Sequence, residues 1–400
     1  DEHDASKQST GASLRFAHLQ VVYTERNEVM MPLISTFSKF QLRLLIFCLL
    51  IALSNTLSST PAPDTTSTTQ ASAKPILVVG ATGRVGRIVV NQLLEKNQPV
   101  RALIRNTTKA QKLFGANING TSSLELITAD LGHYDDKECA QTLERAVIGC
   151  DSIISVSGTL RFSKLTDFLP WRLLRTNVTS WCNDDRRHPY YPNYQAQALL
   201  INLAAKYNIS RFVRVTGLSV GLPAFNPVSI LFSGLLSMTS RYHALTEQYL
   251  RSSAVPYVIL RPGGLTNSKR NKTTTSLQVD ASGVLPPPAR VGRSDVASLA
   301  VASCDSSIVP SDDSYTLAVR WVGDVTPKSQ GTISDGCDSA ETCLNVIVQE
   351  STNGRILFKE PKGIKPYGVA VGIFFYSFAA VSLKIGSMLL RAAMRVFRRV

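Results

Sequence analysis

The 400 residues, 44% of them hydrophobic, suffice for one large α/β domain with extensions and a sizeable core. A formal charge of +14 has the size expected of a nucleic-acid binder but not the distribution, because nine Lys and Arg stand against a single acid, Glu360, in the last 46 residues, beside long apolar runs. Basic residues interleaved with apolar ones fit a membrane surface better than a nucleic-acid groove, so no nucleic-acid partner is expected.

The chain opens with residues 1–30, an unassigned leader without clear periodicity. Lys39 and Arg43 then precede the apolar run Leu44–Leu53, which small and polar residues follow. A basic stretch before a short apolar one is the order of a secretory signal peptide, so residues 31–54 read as a signal with translation starting at Met30 or Met31. The run is too short to span a bilayer, which takes about 20 residues; a buried or interfacial helix is the other reading. Residues 55–73, rich in Ser, Thr and Pro, cannot bury enough apolar surface to offset ordering and read as a disordered linker. The same Ser-rich, acid-poor composition also suits a plastid transit segment.

Residues 74–320 carry the folded pattern. Ile76–Val79 reads as a strand ending in glycine, Arg87–Glu95 as a helix, and Val100–Ile104, Leu124–Ile127 and Ser152–Val156 as further strands. The helix Gln195–Lys206 leads to the strand Phe212–Val215, and the helix Tyr242–Arg251 to the strand Tyr257–Leu260; Tyr315–Val319 closes the domain. Strands alternating with helices predict a Rossmann-type doubly wound parallel sheet with helices on both faces. In the C-terminal extension, residues 321–365, Asn345–Gln349 and Arg355–Phe358 read as a final strand pair. Cys337 and Cys343 either close a small disulfide in an oxidising compartment or stay thiols; the chain has no CxxC and no Cys/His group with zinc-ligand spacing, so no metal site is expected.

Residues 366–390 form a hydrophobic helix. Tyr367–Leu383 is free of charge, Lys384 interrupts the run within reach of the headgroups, and Arg391, Arg395, Arg398 and Arg399 follow in the basic tail, residues 391–400. Its length is at the low end for a membrane span, with a buried or interfacial C-terminal helix as the alternative. Gly368 and Gly372 give one GxxxG. With a cleaved signal, the basic end would stay cytosolic.

The chemistry concentrates at Gly80–Gly86, between the first strand and the first helix. Gly80 permits a tight turn, Gly83 lets the backbone approach a pyrophosphate, and Gly86 allows close packing of helix on sheet. The helix N-terminus offers amides and a partial positive charge to phosphates. Gly80, Thr82, Gly83, Arg84, Val85 and Gly86 are therefore expected to bind a dinucleotide. Arg105 ends the second strand where NAD-binding domains usually carry an acid, and Arg101 and Lys109 are near it in sequence. A guanidinium suits a ribose 2′-phosphate, so NADP is expected over NAD. Asp130, at the end of the third strand, is expected at the adenine.

The run PILVVGATGRVGRIVVNQLLEKNQPVRALIRN, with RFVRVTGLSVG at Arg211–Gly221 and EQYLRSSAVPYVILRPGGL at Glu247–Leu265, resembles the atypical short-chain dehydrogenase/reductases of the NmrA-like NAD(P)-binding group. The resemblance covers residues 74–319. It implies that Ser157, Gly158, Thr216, Arg261, Pro262 and Gly263 line the nicotinamide side, and the group includes chloroplast members that help assemble or translate photosystem components. Reductases of the wider superfamily use a Tyr-xxx-Lys pair, in which the ammonium lowers the tyrosine pKa. None of the 12 tyrosines has Lys four residues on. The counterpart, Tyr242-His-Ala-Leu-Thr246, carries Thr in that place, and the group's Lys-xxx-Glu motif reads His243-xxx-Glu247. Tyr242 and His243 are the catalytic candidates, His243 as an acid near neutral pH, with Tyr194 as an alternative donor.

The basic, aromatic insertion Trp171–Tyr194, with Trp181, Arg186, Arg187, His188, Tyr190 and Tyr191, reads as an exposed loop, with a substrate-shaping or partner-binding segment as the alternative. Asn106, Asn119, Asn177, Asn208 and Asn271 sit in N-x-Ser/Thr sequons that matter only in the ER lumen. Two functions fit: a membrane-tethered NADP-dependent oxidoreductase of small carbonyl or double-bond substrates, or a dinucleotide-binding assembly or regulatory protein without turnover, in the secretory pathway or a plastid.

Overall fold

Four consecutive buried residues, Ile76–Val79, form β1 near the middle of a mostly parallel sheet. The protein is described by a computed structural model covering residues 73–120, 123–159, 161–174, 185–323, 336–354 and 365–397. The expected leader, signal and nearly all of the linker, the strand Arg355–Phe358, and Asn177, Trp181 and Arg398–Arg399 lie outside these residues.

The remaining large-sheet strands are β2 (Val100–Ile104), β3 (Leu124–Thr128), β4 (Ser152–Ser155), β5 (Arg211–Val215), β6 (Tyr257–Pro262), β8 (Thr275–Asp280) and β10 (Tyr315–Gly323), in the order β3-β2-β1-β4-β5-β6-β10-β8. All neighbours run parallel except β8, which is antiparallel to β10. A two-stranded parallel ribbon pairs β7 (Gly264–Thr266) with β9 (Arg290–Gly292). The chain reverses its direction of winding between β1 and β4, the crevice where doubly wound sheets hold ligands.

Strand residues alternate between two cores, as the pleat requires. Ile76, Val78, Ala102, Ile104 and Val213 face one side, against α1 (Gly86–Glu95) and α8 (Arg293–Ala302). Leu77, Val79, Leu103, Ile153 and Phe212 face the other, against α3 (Lys137–Val147) and α5 (Ala196–Lys206). Both faces are covered, which is why the strands read as near-continuous apolar runs. The other helices are α2 (Thr107–Gly120), α4 (Pro170–Leu174), α6 (Pro227–Leu235), α7 (Thr239–Arg251), α9 (Ala340–Thr352) and α10 (Tyr367–Phe397).

Asn345–Gln349 is not a strand but the middle of α9. Its buried residues Ala340, Cys343, Leu344 and Ile347 recur at helical spacing, and the Ser339 hydroxyl caps the Thr342 amide. The five β-branched and polar residues of the shorter window hid that period. Cys337 and Cys343 are free thiols. The insertion is not simply an exposed loop either: His188, Tyr190, Tyr191 and Asn193 are buried, and Tyr190–Gln195 forms a π-turn leading into α5. Trp171 stays exposed.

At its root, α10 is built into the domain. A Cβ on Gly368 would run into the Leu173 carbonyl, and one on Gly372 would come within 3.3 Å of the Leu173 side chain, so the GxxxG serves close packing on α4. Lys365 donates to the Val220, Gly221 and Leu222 carbonyls, Tyr367 to Val220, and Tyr376 to Phe168.

Candidate functional site

A cavity of about 530 Å³ opens at the carboxyl ends of β1, β2, β3 and β4. It is bounded on one side by Gly80, Thr82 and Gly83. Gly80 adopts φ +85°, and a Cβ there would come 2.9 Å from the Ser157 Cα. Only glycine allows the loop and the β4 end to approach so closely. A Cβ on Gly86 would collide with the Gly80 carbonyl, so glycine here lets α1 pack closely on the loop, although Gly86 itself does not line the cavity. At the start of α1 the Arg87 amide donates to the Gly83 carbonyl and those of Ile88 and Val89 to Val85, so what the helix offers a phosphate is the positive end of its dipole. Arg84 and Val85 do not line the cavity; Arg84 is exposed, and it and Arg87 repel Arg293, whose pKa burial and this repulsion lower.

Arg105 and Lys109 line the far end of the same cavity, with Asp130 and His133 next to them. Asp130 accepts from the Gly132 amide at 2.9 Å, fixing the turn after β3. Arg101 points elsewhere, to Glu125 at 2.6 Å. Two basic residues from the insertion, Arg186 and Arg187, complete this wall. Arg186 is held by Asp135 at 2.7 Å, and its backbone lies so close to Gly132 that a Cβ there would sit 2.7 Å from the Arg186 carbonyl. Sequence reasoning gave these arginines no role at the cofactor loop; the adjacent pair itself, inside a basic and aromatic insertion, was the only hint.

The other end is lined by Val156, Ser157, Gly158, Thr159 and Pro192. Asn193 holds the Thr159 amide at 3.0 Å. Beneath it lies a polar network unusual for the middle of a sheet. Arg214 of β5, completely buried, donates to Ser155 Oγ and to the Ser157 carbonyl, both at 2.8 Å. Ser155 donates to Gln197 Oε1 at 2.7 Å, and Gln197 Nε2 donates to Ser157 Oγ at 3.0 Å. Loss of water pulls the Arg214 pKa down to about 9, leaving it a cation at neutral pH. A lone charge inside the strand RFVRV was the sequence signal for this network; Gln197 left none.

The cavity brings together Gly80, Thr82, Gly83, Arg105, Asp130, Ser157 and Gly158. Thr216, Tyr242, His243 and the turn Arg261-Pro262-Gly263 are not part of its lining. Thr216 donates to Glu247 at 2.7 Å, and Arg261, nearly fully buried, binds the same carboxylate through Nε at 3.1 Å and donates to the Gly283 carbonyl. Burial would raise the Glu247 pKa, but Arg261, Arg251 and Thr216 outweigh it and keep the group ionised. Pro262 pairs with Val319 in the sheet, and a Cβ on Gly263 would fall 2.6 Å from the Ala289 carbonyl oxygen, so this turn is occupied in joining β6 to its neighbours. Tyr242, 1% exposed, packs edge-on against His188 and Tyr190. His243 sits behind Gly158, with Nδ1 3.4 Å from Arg214 Nη2. Removal from water and the Arg214 charge push its pKa down to about 3, so it is neutral where the sequence expected an acid. The half-buried Tyr194 packs on Tyr190, and burial raises its pKa.

The residues present fit a dinucleotide: a glycine cradle for the pyrophosphate, cations at one end and neutral donors at the other. The profile of the NAD(P)H-binding family matches residues 80–307. Among curated relatives, a chloroplast protein of Arabidopsis thaliana, itself uncharacterised, is 27% identical over 48% of this chain and 60% of its own. The chloroplast protein TIC 62 of Pisum sativum is 30% identical over 48% of this chain and 32% of its own length. Sanguinarine reductase of Eschscholzia californica is 26% identical over 48% of this chain and 70% of its own. The chain thus spans about half the length of the curated relatives it matches.

Proposed function

The chain belongs to the NAD(P)H-binding family and takes a nicotinamide dinucleotide, and from that premise we propose that it is an NADP(H)-dependent oxidoreductase of small carbonyl or activated double-bond substrates, held at a membrane by α10. The observation that carries the reading is the content of one cavity: the glycine cradle, Arg105 with Lys109, and the Ser157 hydroxyl.

Gly80, Thr82, Gly83 and the N-terminus of α1 hold the pyrophosphate, with Arg84, Val85 and Gly86 completing the turn. Arg105 and Lys109 take the 2′-phosphate, which an acid at the end of β2 would repel. Asp130 takes the adenine side. Bound NADPH supplies a hydride. Ser157 supplies the polarising hydrogen bond. Its oxygen accepts from Gln197, and Arg214 Nη1 lies 3.4 Å away, so positive charge stands behind the hydroxyl. Its nearest hydroxyl neighbour, Ser155 Oγ, is at the long limit of 3.4 Å, which leaves the Ser157 proton for a substrate carbonyl in the cavity. In this reading Ser157 does what Tyr242 and His243 were expected to do.

The name of sanguinarine reductase supports reductase chemistry, and the two chloroplast relatives support a plastid location. Calorimetry on the full-length chain should give tighter binding of NADPH than of NADH; NADH binding alone would sink the NADP assignment. NADPH oxidation screened over small carbonyl and alkene substrates should reveal turnover that Ser157→Ala lowers by about 100- to 1,000-fold, the loss of one polarising donor. The second reading, a dinucleotide-binding assembly protein without turnover, is favoured by the neutral His243 and the enclosed Tyr242. NADPH binding without oxidation of any substrate would select it.

A further inference from the structure

The domain surrounding the root of α10 carries a group of large apolar side chains in the open. Phe162 is 77% exposed and Leu165 82%, and Trp171, Leu174, Leu231 and Leu235 are each more than half exposed. They come from three stretches of chain that meet at one place. The Ser163 amide donates to the Leu235 carbonyl, joining the first stretch to the end of α6. Phe168 stacks on Phe375 of α10 with ring centroids 4.2 Å apart, α4 packs under Gly368 and Gly372, and a Cβ on Gly234 of α6 would lie 3.9 Å from Val371. Leu231 and Leu235, one turn apart on α6, share a face. Exposed patches of this kind mark interaction surfaces rather than ordinary solvent-facing surface.

The length of α10 says what covers them. Tyr367–Arg391 has the length and composition of a membrane span, with a mean hydropathy of 1.8 and 17% of its most apolar stretch buried. Its first turns are engaged by the domain up to Tyr376, whose hydroxyl binds the Phe168 carbonyl. Beyond that point the described side chains up to Arg391 are exposed or nearly so. Residues 377–390 rise about 20 Å at helical pitch, whereas the hydrocarbon core of a bilayer is about 30 Å thick. The free portion is too short. For α10 to cross, the turns below Tyr376 must enter the membrane, and they carry the surrounding side chains of the domain with them.

We propose that Phe162, Leu165, Trp171, Leu174, Leu231 and Leu235 form an apolar collar that sinks into the lipid headgroup and upper acyl region, so that the domain lies against the bilayer. The proposal rests on α10 spanning the membrane. A Trp and the exposed Lys164 suit that depth, where aromatic rings and long basic side chains settle.

The full-length chain reconstituted in vesicles of phosphatidylcholine brominated near the headgroup end of its acyl chains tests it. Tryptophan fluorescence should be quenched in the wild type, and Trp171→Phe should remove that quenched component. Since Trp171 is exposed, the variant leaves the packing of α4 through Leu173 in place. Equal quenching of wild type and variant overturns the collar. So does blue-shifted Trp171 emission insensitive to bromine, which would mean that a second copy of the chain or another protein covers the patch. Alkaline extraction of the same vesicles separates the two failures: release of the protein overturns the spanning reading and the collar with it, whereas retention without Trp171 quenching overturns the collar alone.

Discussion

His188 shows how a buried ring sets a pH limit. It is 3% exposed, and its Nδ1 accepts from the Tyr190 amide, a bond only the neutral ring can accept there. Burial, chiefly, and the Arg161 charge push its pKa down to about 4. Between the ordinary value of about 6.5 and this lower one, the unfolded chain binds a proton that the folded chain refuses. The contribution is intact above about pH 6.5 and is lost as the pH falls through that window, on the order of 2 kcal/mol by pH 5. Thermal melts should therefore fall in midpoint between pH 7.5 and pH 5, and His188→Asn should flatten the dependence while lowering the midpoint at pH 7.5. A wild-type midpoint that rises on acidification would contradict the assignment. Arg105 makes a separate prediction. Arg105→Glu should weaken NADPH binding by at least about tenfold, or 1.4 kcal/mol, and leave NADH nearly unchanged. Calorimetry giving equal losses for both nucleotides would place Arg105 away from the 2′-phosphate. Gly80, Arg105 and Asp130 came from short-range pattern at the carboxyl ends of strands and Ser157 from the family resemblance, and all four line the cavity. Arg214 and Gln197 were not legible, because only the pairing of β4 with β5 and the seating of α5 bring them under Ser157.

At the level of elements, the central strands were legible because they are buried on both faces and read as short, mostly apolar runs between turns. Two failures have physical causes. In α9, a strand-like window of five residues concealed a buried stripe of helical period whose first members, Ala340 and Cys343, lie outside the window. In the insertion, aromatic residues that resemble surface decoration are the small core under the α10 root, with Tyr190, Tyr191, Tyr242 and Tyr367 packed together. The GxxxG of α10, a helix-packing signal in the sequence, makes its contact with α4. Gly368→Val should therefore destabilise the domain even in detergent, by about 1–3 kcal/mol as overpacking does, seen as a lower melting midpoint, whereas the same change at Gly386, where a Cβ meets nothing within 4 Å, should leave the midpoint within error. A Gly368→Val protein that melts like wild type would mean that the root does not dock on the domain.

On the scale of the whole molecule, the basic excess is not confined to the tail. Arg105, Lys109, Arg186 and Arg187 gather at one end of the cavity, with Asp130 beside them and Asp135 paired with Arg186. Such a cluster concentrates polyanionic ligands and weakens with ionic strength. NADPH affinity should fall measurably between 50 mM and 500 mM salt, and that of NADH, with fewer charges, should fall less. A salt-independent NADPH affinity would argue that the cations are spent on the protein itself. The Lys365 ammonium has a broader consequence. By gripping three successive carbonyls directly before α10 begins, it leaves no swivel between helix and domain. With α10 spanning a bilayer, as proposed, a protein mounted in this way would drift sideways and spin about the membrane normal but would not nod or tumble. Its cleft then meets anything in the same leaflet at one height and one tilt, so much of the orientational search that slows encounters in free solution is already done.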